Sequence, residues 1–473
     1  MSRILMVTPE AAPFAKTGGL ADVLGSLPAA LAVLGEEVTV VLPRYRVAAV
    51  HGSERIWHAM PVTAGPHNYL VAIDQVIEEG VRYLFVDCPP LYGRPGIYGE
   101  RGVDYANNHL RYAVLDLAAL GIARDIFRPD VFHGHDWPAG LLGPYLRETF
   151  RTDPTFFGAK FVLTIHNVGY QGNFSAALLG DIGLDARLLH PEGLEFWGRI
   201  GFLKAGIVWA DAITTVSPTY AREIQTPEYG YGLDGLLRER AARVTGILNG
   251  ADYEEWNPET DSYIPAKYSA PDLSGKWLAK KAVLEEFNLP VEKSKPVIGI
   301  VSRLVDQKGF DLLAPVVSNL VADLTAEEFV VIAVGSGEER VEETFRDLAR
   351  SYPSNFAVQI GYDHQLSHRI IAGADMFLMP SRYEPCGLGQ MYALRYGTVP
   401  IVRATGGLDD TVDETTGFKF KNHTPEELLE AIRAALAAWK DQEEWRERMR
   451  RGMRKDFSWG ASAAQYQKLY RSL

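Results

Sequence analysis

Lys16-Thr17-Gly18-Gly19-Leu20 lies between a short apolar run, Ile4–Val7, and a helical run from Ala21 to about Leu34. Two adjacent glycines at a strand-to-helix turn let the backbone approach a ligand closely. They also leave the first helical N–H groups without partners, which favours an anion. Lys16 adds a mobile positive charge at the mouth of the turn. The spacing is neither Gly-x-x-x-x-Gly-Lys-Ser/Thr nor Gly-x-Gly-x-x-Gly, so neither nucleotide fingerprint applies. An ordinary βα turn, with glycines for packing alone, accounts for the same residues.

Five more polar clusters follow apolar runs. Arg303 to Lys308-Gly309 follows Val297–Val301. Arginine grips phosphate oxygens by paired hydrogen bonds and lysine acts as a point charge, so this loop suits a diphosphate; a solvated basic loop is the plainer alternative. Glu384-Pro385-Cys386-Gly387-Leu388-Gly389 follows Met376–Met379. Pro385 suits a first helical position, with the N–H groups of Cys386, Gly387 and Leu388 aimed at a ligand. Otherwise Glu384 only complements the helix dipole. Cys386 reads as a packing residue, since the sequence names no basic partner for a nucleophile. Thr405-Gly406-Gly407-Leu408 follows Val399–Val402 and repeats the opening pattern.

The fourth cluster is His133-Gly134-His135-Asp136-Trp137, with Thr164-Ile165-His166-Asn167 one strand later. His-x-His-Asp invites a metal reading. A metallohydrolase site needs a further histidine close after the aspartate, and Trp137 and Pro138 stand there instead. Hydrogen bonds to sugar hydroxyls, with an apolar ring face from Trp137, fit better; buried and satisfied polar groups are the plain alternative. Gly361-Tyr362 follows Ala357–Ile360, where Tyr362 either stacks on a base or packs.

The elements that must position these residues alternate between strand-like and helix-like, which predicts α/β architecture with parallel sheets covered on both faces. Strands are expected at Ile4–Val7, Val38–Leu42, Val81–Val86, Val131–His133, Phe161–Ile165, Ala212–Val216 and Val244–Leu248. In the second half they are expected at Val297–Val301, Phe329–Val334, Ala357–Ile360, Met376–Met379 and Val399–Val402. Helical runs such as Asp311–Ala322 and Ser367–Ala374 fall between them. The expected organisation is a first doubly wound domain over 1–251, a linker region over 252–295, a second doubly wound domain over 296–457, and a helix over 458–473 crossing back to the first. Ligands of open parallel sheets sit beyond the carboxyl ends of the strands, so two such domains are expected to face each other across a cleft.

The 473 residues suffice for two or three domains. The chain is 47% hydrophobic and 23% charged, as soluble globular proteins are. A net charge of −12 argues against non-specific binding to nucleic acid or anionic membranes, so each cation in a loop gains interest. Cys88 and Cys386 build no disulfide framework. No apolar run reaches the ~18 residues of a membrane span, and the chain opens directly on a strand without a signal pattern. A reducing cytoplasm is the simplest expectation.

Taken in order, these motifs resemble bacterial glycogen synthases and plant-type starch synthases, across essentially the whole chain. Lys16 to Leu20 with Ala21-Asp22, Gly134 to Trp137, Thr164 to Asn167 with Tyr170-Gln171-Gly172, and Val301-Ser302-Arg303 with Gln307-Lys308-Gly309 carry the likeness. So do Gly361-Tyr362 with Leu366-Ser367-His368-Arg369, Glu384 to Leu388 and Thr405 to Leu408. The resemblance implies a GT-B fold, no cofactor and no metal, and transfer of glucose from ADP-glucose to the non-reducing 4-hydroxyl of an α-1,4-glucan with retention. It implies that Lys16, Gly18 and Gly19 meet the diphosphate and glucose, with Lys16 reaching across the cleft. Arg303 and Lys308 would bind the same diphosphate, Gly407 and Leu408 adding backbone contacts. Tyr362 would lie near the adenine and Asp22 near the ribose or diphosphate. Asp136, His166, Asn249, Glu384, Cys386 and Gly387 would surround the transferred glucose, and Leu388 would be a further substrate-binding position.

The chain departs from the Glu-x7-Glu pattern of many retaining GT-B enzymes. Eight positions after Glu384 stands Tyr392, so no role of a second carboxylate transfers. A double displacement would need a carboxylate on the far face of the sugar, and none is identifiable; the resemblance implies same-face departure instead. Rival readings are another nucleotide-sugar glycosyltransferase, with UDP-glucose or a different acceptor, a non-catalytic glucan-binding relative, and a metallohydrolase.

Overall fold

The structure is a computed structural model describing residues 1–48, 50–323 and 329–473, with Asp323 described by its backbone only. The chain forms two compact units, one of residues 1–250 with 459–473 and one of 251–458.

The first unit is built on β1 (Arg3–Val7), β2 (Glu37–Pro43), β3 (Glu54–Ala64), β4 (His67–Glu78), β5 (Val81–Asp87), β6 (Val131–His135), β7 (Lys160–Ile165), β8 (Ala212–Thr215) and β9 (Val244–Gly246). Their order in the sheet is β9-β8-β7-β6-β1-β2-β5-β4-β3. Ile4, Leu5, Met6 and Val7 are wholly buried, as an apolar run must be when helices cover both faces of a parallel sheet. Helix α1 (Gly19–Val33) buries Ala21, Val23, Leu24, Leu27 and Leu31 against that sheet.

Only part of this sheet is parallel. β4 pairs antiparallel with both β5 and β3. The sheet is therefore mixed, which corrects the doubly wound parallel expectation at one edge. The hairpin carries Pro61 in β3 and turns at Gly65-Pro66, and its burial alternates through Met60, Val62 and Ala64. That half-exposed pattern suits an antiparallel edge ribbon rather than a buried parallel strand. A further three-stranded antiparallel sheet spans Asn173–Gly201.

The second unit holds β10 (Val297–Val301), β11 (Val330–Gly335), β12 (Phe356–Ile360), β13 (Met376–Met379), β14 (Val399–Arg403) and β15 (Phe418–Phe420). All are parallel, in the order β12-β11-β10-β13-β14-β15. The stretch over 252–295, expected as a linker, folds within this unit. Its helix α2 (Ser274–Glu286) buries Val283 and Leu284 beside Leu366 and Ile370 of α3 (His364–Gly373).

Helix α4 (Trp459–Ser472) belongs to the first unit. Trp459, Ala463, Tyr466 and Tyr470 enter the same core as β1 and α1. The Tyr470 hydroxyl lies 2.8 Å from Nδ1 of His133 in β6. Among the described residues, no helix is long and apolar enough to cross a membrane.

Candidate active site

Each parallel sheet reverses its winding beside its central strand, between β1 and β6 in the first unit and between β10 and β13 in the second. Loops leaving the carboxyl ends of those strands frame the crevice where such sheets take ligands. The clusters at Lys16, Asp136, Arg303 and Glu384 fall on these loops, and His166, Asn249, Tyr362 and the Gly406–Gly407 turn follow β7, β9, β12 and β14.

In the first unit the loop after β1 is organised by Glu10, which is almost fully buried. Its carboxylate accepts hydrogen bonds from Tyr98 Oη at 2.6 Å, from Thr17 Oγ1 at 2.7 Å, and from the backbone N–H groups of Thr17 and Gly18. Those two N–H groups are satisfied inside the protein, which corrects the simple anion-turn picture. The helix begins at Gly19, two residues earlier than expected, so the N–H groups at its open end start there. A Cβ added to Gly18 or Gly19 would meet nothing within 4 Å. Lys16 Nζ lies 2.5 Å from Asp22 Oδ1, both partly exposed.

After β6, Asp136 adopts φ +57, a left-handed conformation that a non-glycine residue holds only under constraint. Its Oδ1 accepts the His166 N–H at 2.7 Å. Burial pushes its carboxyl up to about 7, against the lowering effect of the His166 and Asn167 N–H groups. His135 Nδ1 lies 3.0 Å from His166 Nε2. His133 is held by Thr164 Oγ1 at 2.6 Å on one side and by Tyr470 on the other. Burial drives His133 and His166 down to about 3 and His135 well below its ordinary value. All three imidazoles are therefore neutral near pH 7, suited to hydrogen bonding with hydroxyls. Asn249 is buried beyond β9, and its Oδ1 has no hydrogen-bond partner among the described residues. Trp137 is hemmed by Tyr112, Phe174 and Phe202, with ring centroids 4.8 to 6.2 Å away. Its ring is packing, not the open platform expected.

In the second unit, Lys308 Nζ and Glu384 Oε2 meet at 2.5 Å, both largely buried. Ser381 Oγ donates to the same carboxylate oxygen at 3.0 Å. Gln307 Nε2 donates to the Tyr383 carbonyl at 3.2 Å, tying the loop after β10 to the loop after β13. Arg303 is exposed, and its guanidinium has no hydrogen bond or ion pair among the described residues.

The turn after β14 is pressed onto the Glu384 loop. A Cβ on Gly406 would sit 1.9 Å from the Glu384 carbonyl oxygen, and one on Gly407 would sit 2.1 Å from that of Cys386. The Gly407 N–H donates to the Glu384 carbonyl at 3.1 Å, and the Leu408 N–H to that of Thr405. Leu408 itself is wholly buried. The helix after Glu384 begins at Gly389, so Pro385 is not its first residue and Glu384 to Leu388 form a loop. Gln390 Nε2 donates to the Cys386 and Gly387 carbonyls, fixing that loop, and Cys386 is buried. Tyr362 is 78% exposed, with its hydroxyl 3.3 Å from His364 Nδ1. Tyr392 stacks on Trp256, centroids 4.2 Å apart and planes at 6°. It fills the place of a second carboxylate with packing.

Sequence reading missed Glu10 and Ser381. Glu10 is one acid in an irregular loop, and nothing in its neighbours marks it. Ser381 stands three residues before Glu384, a spacing that could have suggested a local hydrogen bond.

Residues 3–239 match the family model described as starch synthase catalytic domain, and 284–452 match that of glycosyl transferases group 1. The chain is 46% identical to a glycogen synthase of Koribacter versatilis over 99% of its own length and 97% of the relative's. It is 50% identical to a glycogen synthase of Myxococcus xanthus over 99% of both. The catalytic domain of starch synthase IV from Arabidopsis thaliana, solved with ADP and acarbose, superposes with a TM-score of 0.89 at 32% identity, covering all of this chain and 99% of that one. A sucrose-phosphate synthase from Thermosynechococcus elongatus shares the fold at a TM-score of 0.60 and 18% identity, over 100% of this chain and 99% of that one. The chain belongs to the glycogen and starch synthase family; it is a glycosyltransferase of the GT-B fold.

Proposed function

We propose that this member of the glycogen synthase family transfers glucose from ADP-glucose to the non-reducing 4-hydroxyl of an α-1,4-glucan, with retention and without a metal. The observation that carries the reading is the convergence of Lys308, Glu384 and Ser381 at the switch point of the second sheet, with the Gly406–Gly407 turn pressed onto the Glu384 loop. A cation fixed before substrate arrives, as Lys308 is by Glu384, stabilises charge where it develops and needs no reorganisation during the reaction.

In this mechanism Lys308 and the unpaired Arg303 bind the diphosphate, Arg303 through its two-pronged guanidinium. Gly407 and Leu408 shape the wall of that pocket. Glu384 holds Lys308 in place and, with the Cys386, Gly387 and Leu388 backbone, faces the glucose hydroxyls. Tyr362 stacks on the adenine. In the first unit, Lys16 and the helix N-terminus at Gly19 take phosphate oxygens, with Gly18 leaving room beside them, and Lys16 exchanges its Asp22 partner for the ligand. His166, Asn249 and Asp136 bind sugar hydroxyls as neutral groups. As the anomeric bond breaks, positive charge grows on the sugar and negative charge on the leaving diphosphate, which the cations neutralise. The departing phosphate accepts the proton of the acceptor hydroxyl on the same face.

The first unit supplies the acceptor surface and the second the nucleotide-sugar surface. Cys88 and Cys386 are buried and form no disulfide, which agrees with a reducing cytoplasm.

Incubation with glycogen and either ADP-glucose or UDP-glucose, following nucleotide release and glucan growth, tests the proposal. ADP release that depends on glycogen and persists in excess EDTA is expected. Preference for UDP-glucose would overturn the donor, and complete loss in EDTA, restored by added metal, would overturn the metal-free mechanism.

A further inference from the structure

A second cluster in the 251–458 unit is not used by this chemistry. His364 and His368 stand four residues apart on α3 and share one face of the helix. Glu255 approaches them from the segment that opens the unit. One ligand atom from each of the three lies within 4.8 Å of the other two. His364 Nε2 is 3.1 Å from Glu255 Oε1.

His368 is set up differently from a core histidine. It is wholly buried, and Nδ1 lies 2.8 Å from Oδ2 of the buried Asp261. Asp261 also accepts from Tyr396 Oη at 2.6 Å and from the Tyr263 N–H at 2.7 Å. A carboxylate so placed holds the proton on Nδ1 and leaves the lone pair on Nε2. Nε2 has no hydrogen-bond partner among the described residues. The ring cannot turn away, because Trp256 stacks on it at 3.7 Å and 11°. A carboxylate on one imidazole nitrogen and nothing on the other is how metal-binding histidines are oriented.

We propose that Glu255, His364 and His368 bind one Zn2+ ion, with Asp261 orienting His368 and water at the fourth position. Two imidazoles and one carboxylate suit a borderline cation over Mg2+, which prefers oxygen ligands. Tetrahedral Zn2+ with donors at about 2.0–2.1 Å brings ligand atoms to roughly 3.3 Å of one another. The cluster must therefore tighten, and it can: Glu255 is exposed and His364 half-buried, while His368 is the fixed member. The ion would fasten the Glu255 segment to α3, a role in stability separate from glucosyl transfer.

The test is calorimetric titration of the chelator-cleared full-length chain with Zn2+, with melting temperature and the visible spectrum of the Co2+ form as further readouts. One ion per chain, a raised melting temperature and tetrahedral Co2+ bands are expected. His364→Ala and Glu255→Gln each remove a surface ligand and leave the His368–Asp261 pair intact, so both should fold. Each should weaken binding by tenfold or more, the scale of even outer-shell losses at metal sites. No Zn2+ binding by the wild-type chain, unchanged affinity in both variants, or an equal melting shift with Mg2+ would each overturn the proposal.

Discussion

The two Gly-Gly turns look alike in sequence and differ in what surrounds them. At Gly406–Gly407 the protein itself demands glycine, because side chains there would overlap the carbonyls of Glu384 and Cys386. At Gly18–Gly19 no protein atom lies within reach of an added Cβ. The first turn has open space beside it, which suits the ligand contact proposed for it, and the second is pressed onto the loop that carries Glu384. One dipeptide stands in open space in one unit and in close packing in the other, and only coordinates separate the two.

Substitution can break this comparison. Gly407→Ala should give the largest loss of folded protein, since it drives a Cβ into backbone; overpacking of this kind costs about 1–3 kcal/mol or more. Gly19→Ala should leave the melting temperature within a degree or two of wild type and still lower turnover. Equal destabilisation by both changes, read by thermal melts, would erase the distinction.

Lys308→Ala tests the second turn's client. Turnover should fall by roughly 10²–10³, as for loss of one preorganised donor. Stability should fall too, because Glu384 is left buried without its cation, a loss of about 3–5 kcal/mol when such pairs are broken. Near-normal ADP release would remove Lys308 from the diphosphate site. The first unit offers the counterpart in Glu10→Gln, which keeps the shape and one acceptor oxygen but removes the charge and turns the other oxygen into a donor. A several-fold drop in turnover with a small melting shift is expected; an unchanged rate would detach the loop from function.

The smallest effect is a pH dependence. The Asp136 carboxyl is raised to about 7 in the folded protein from an ordinary 3.8. The folded state thus binds the extra proton between those values, so this group's stabilising contribution is full below about 4 and fades as pH rises through 7. Asp136→Asn removes the titration, and its melting temperature relative to wild type should be higher at pH 8 than at pH 5. A pH-independent difference would place the Asp136 carboxyl at an ordinary value.

The parallel strands were legible because each is a compact apolar run, and the predicted Val297–Val301 and Met376–Met379 coincide with β10 and β13. The β3–β4 hairpin was not, because its alternation is broken by bulges between Arg55 and Met60 and by Pro61. Site loops were visible as motifs, yet their pairings were not. Nothing in spacing says that Lys308 meets a carboxylate 76 residues away, or that Glu10 consumes the N–H groups of the opening turn. Tyr392 could be counted but not understood until Trp256, 136 positions earlier, was seen against its ring.

His133 lies in β6, next to the central strand β1, and one of its nitrogens is held by Tyr470, three residues from the last. The core of the first unit is therefore completed by a helix that lies beyond the whole 251–458 segment in sequence. A substitution at Tyr470 should be felt at His133 and β1, not in the unit that precedes it in the chain.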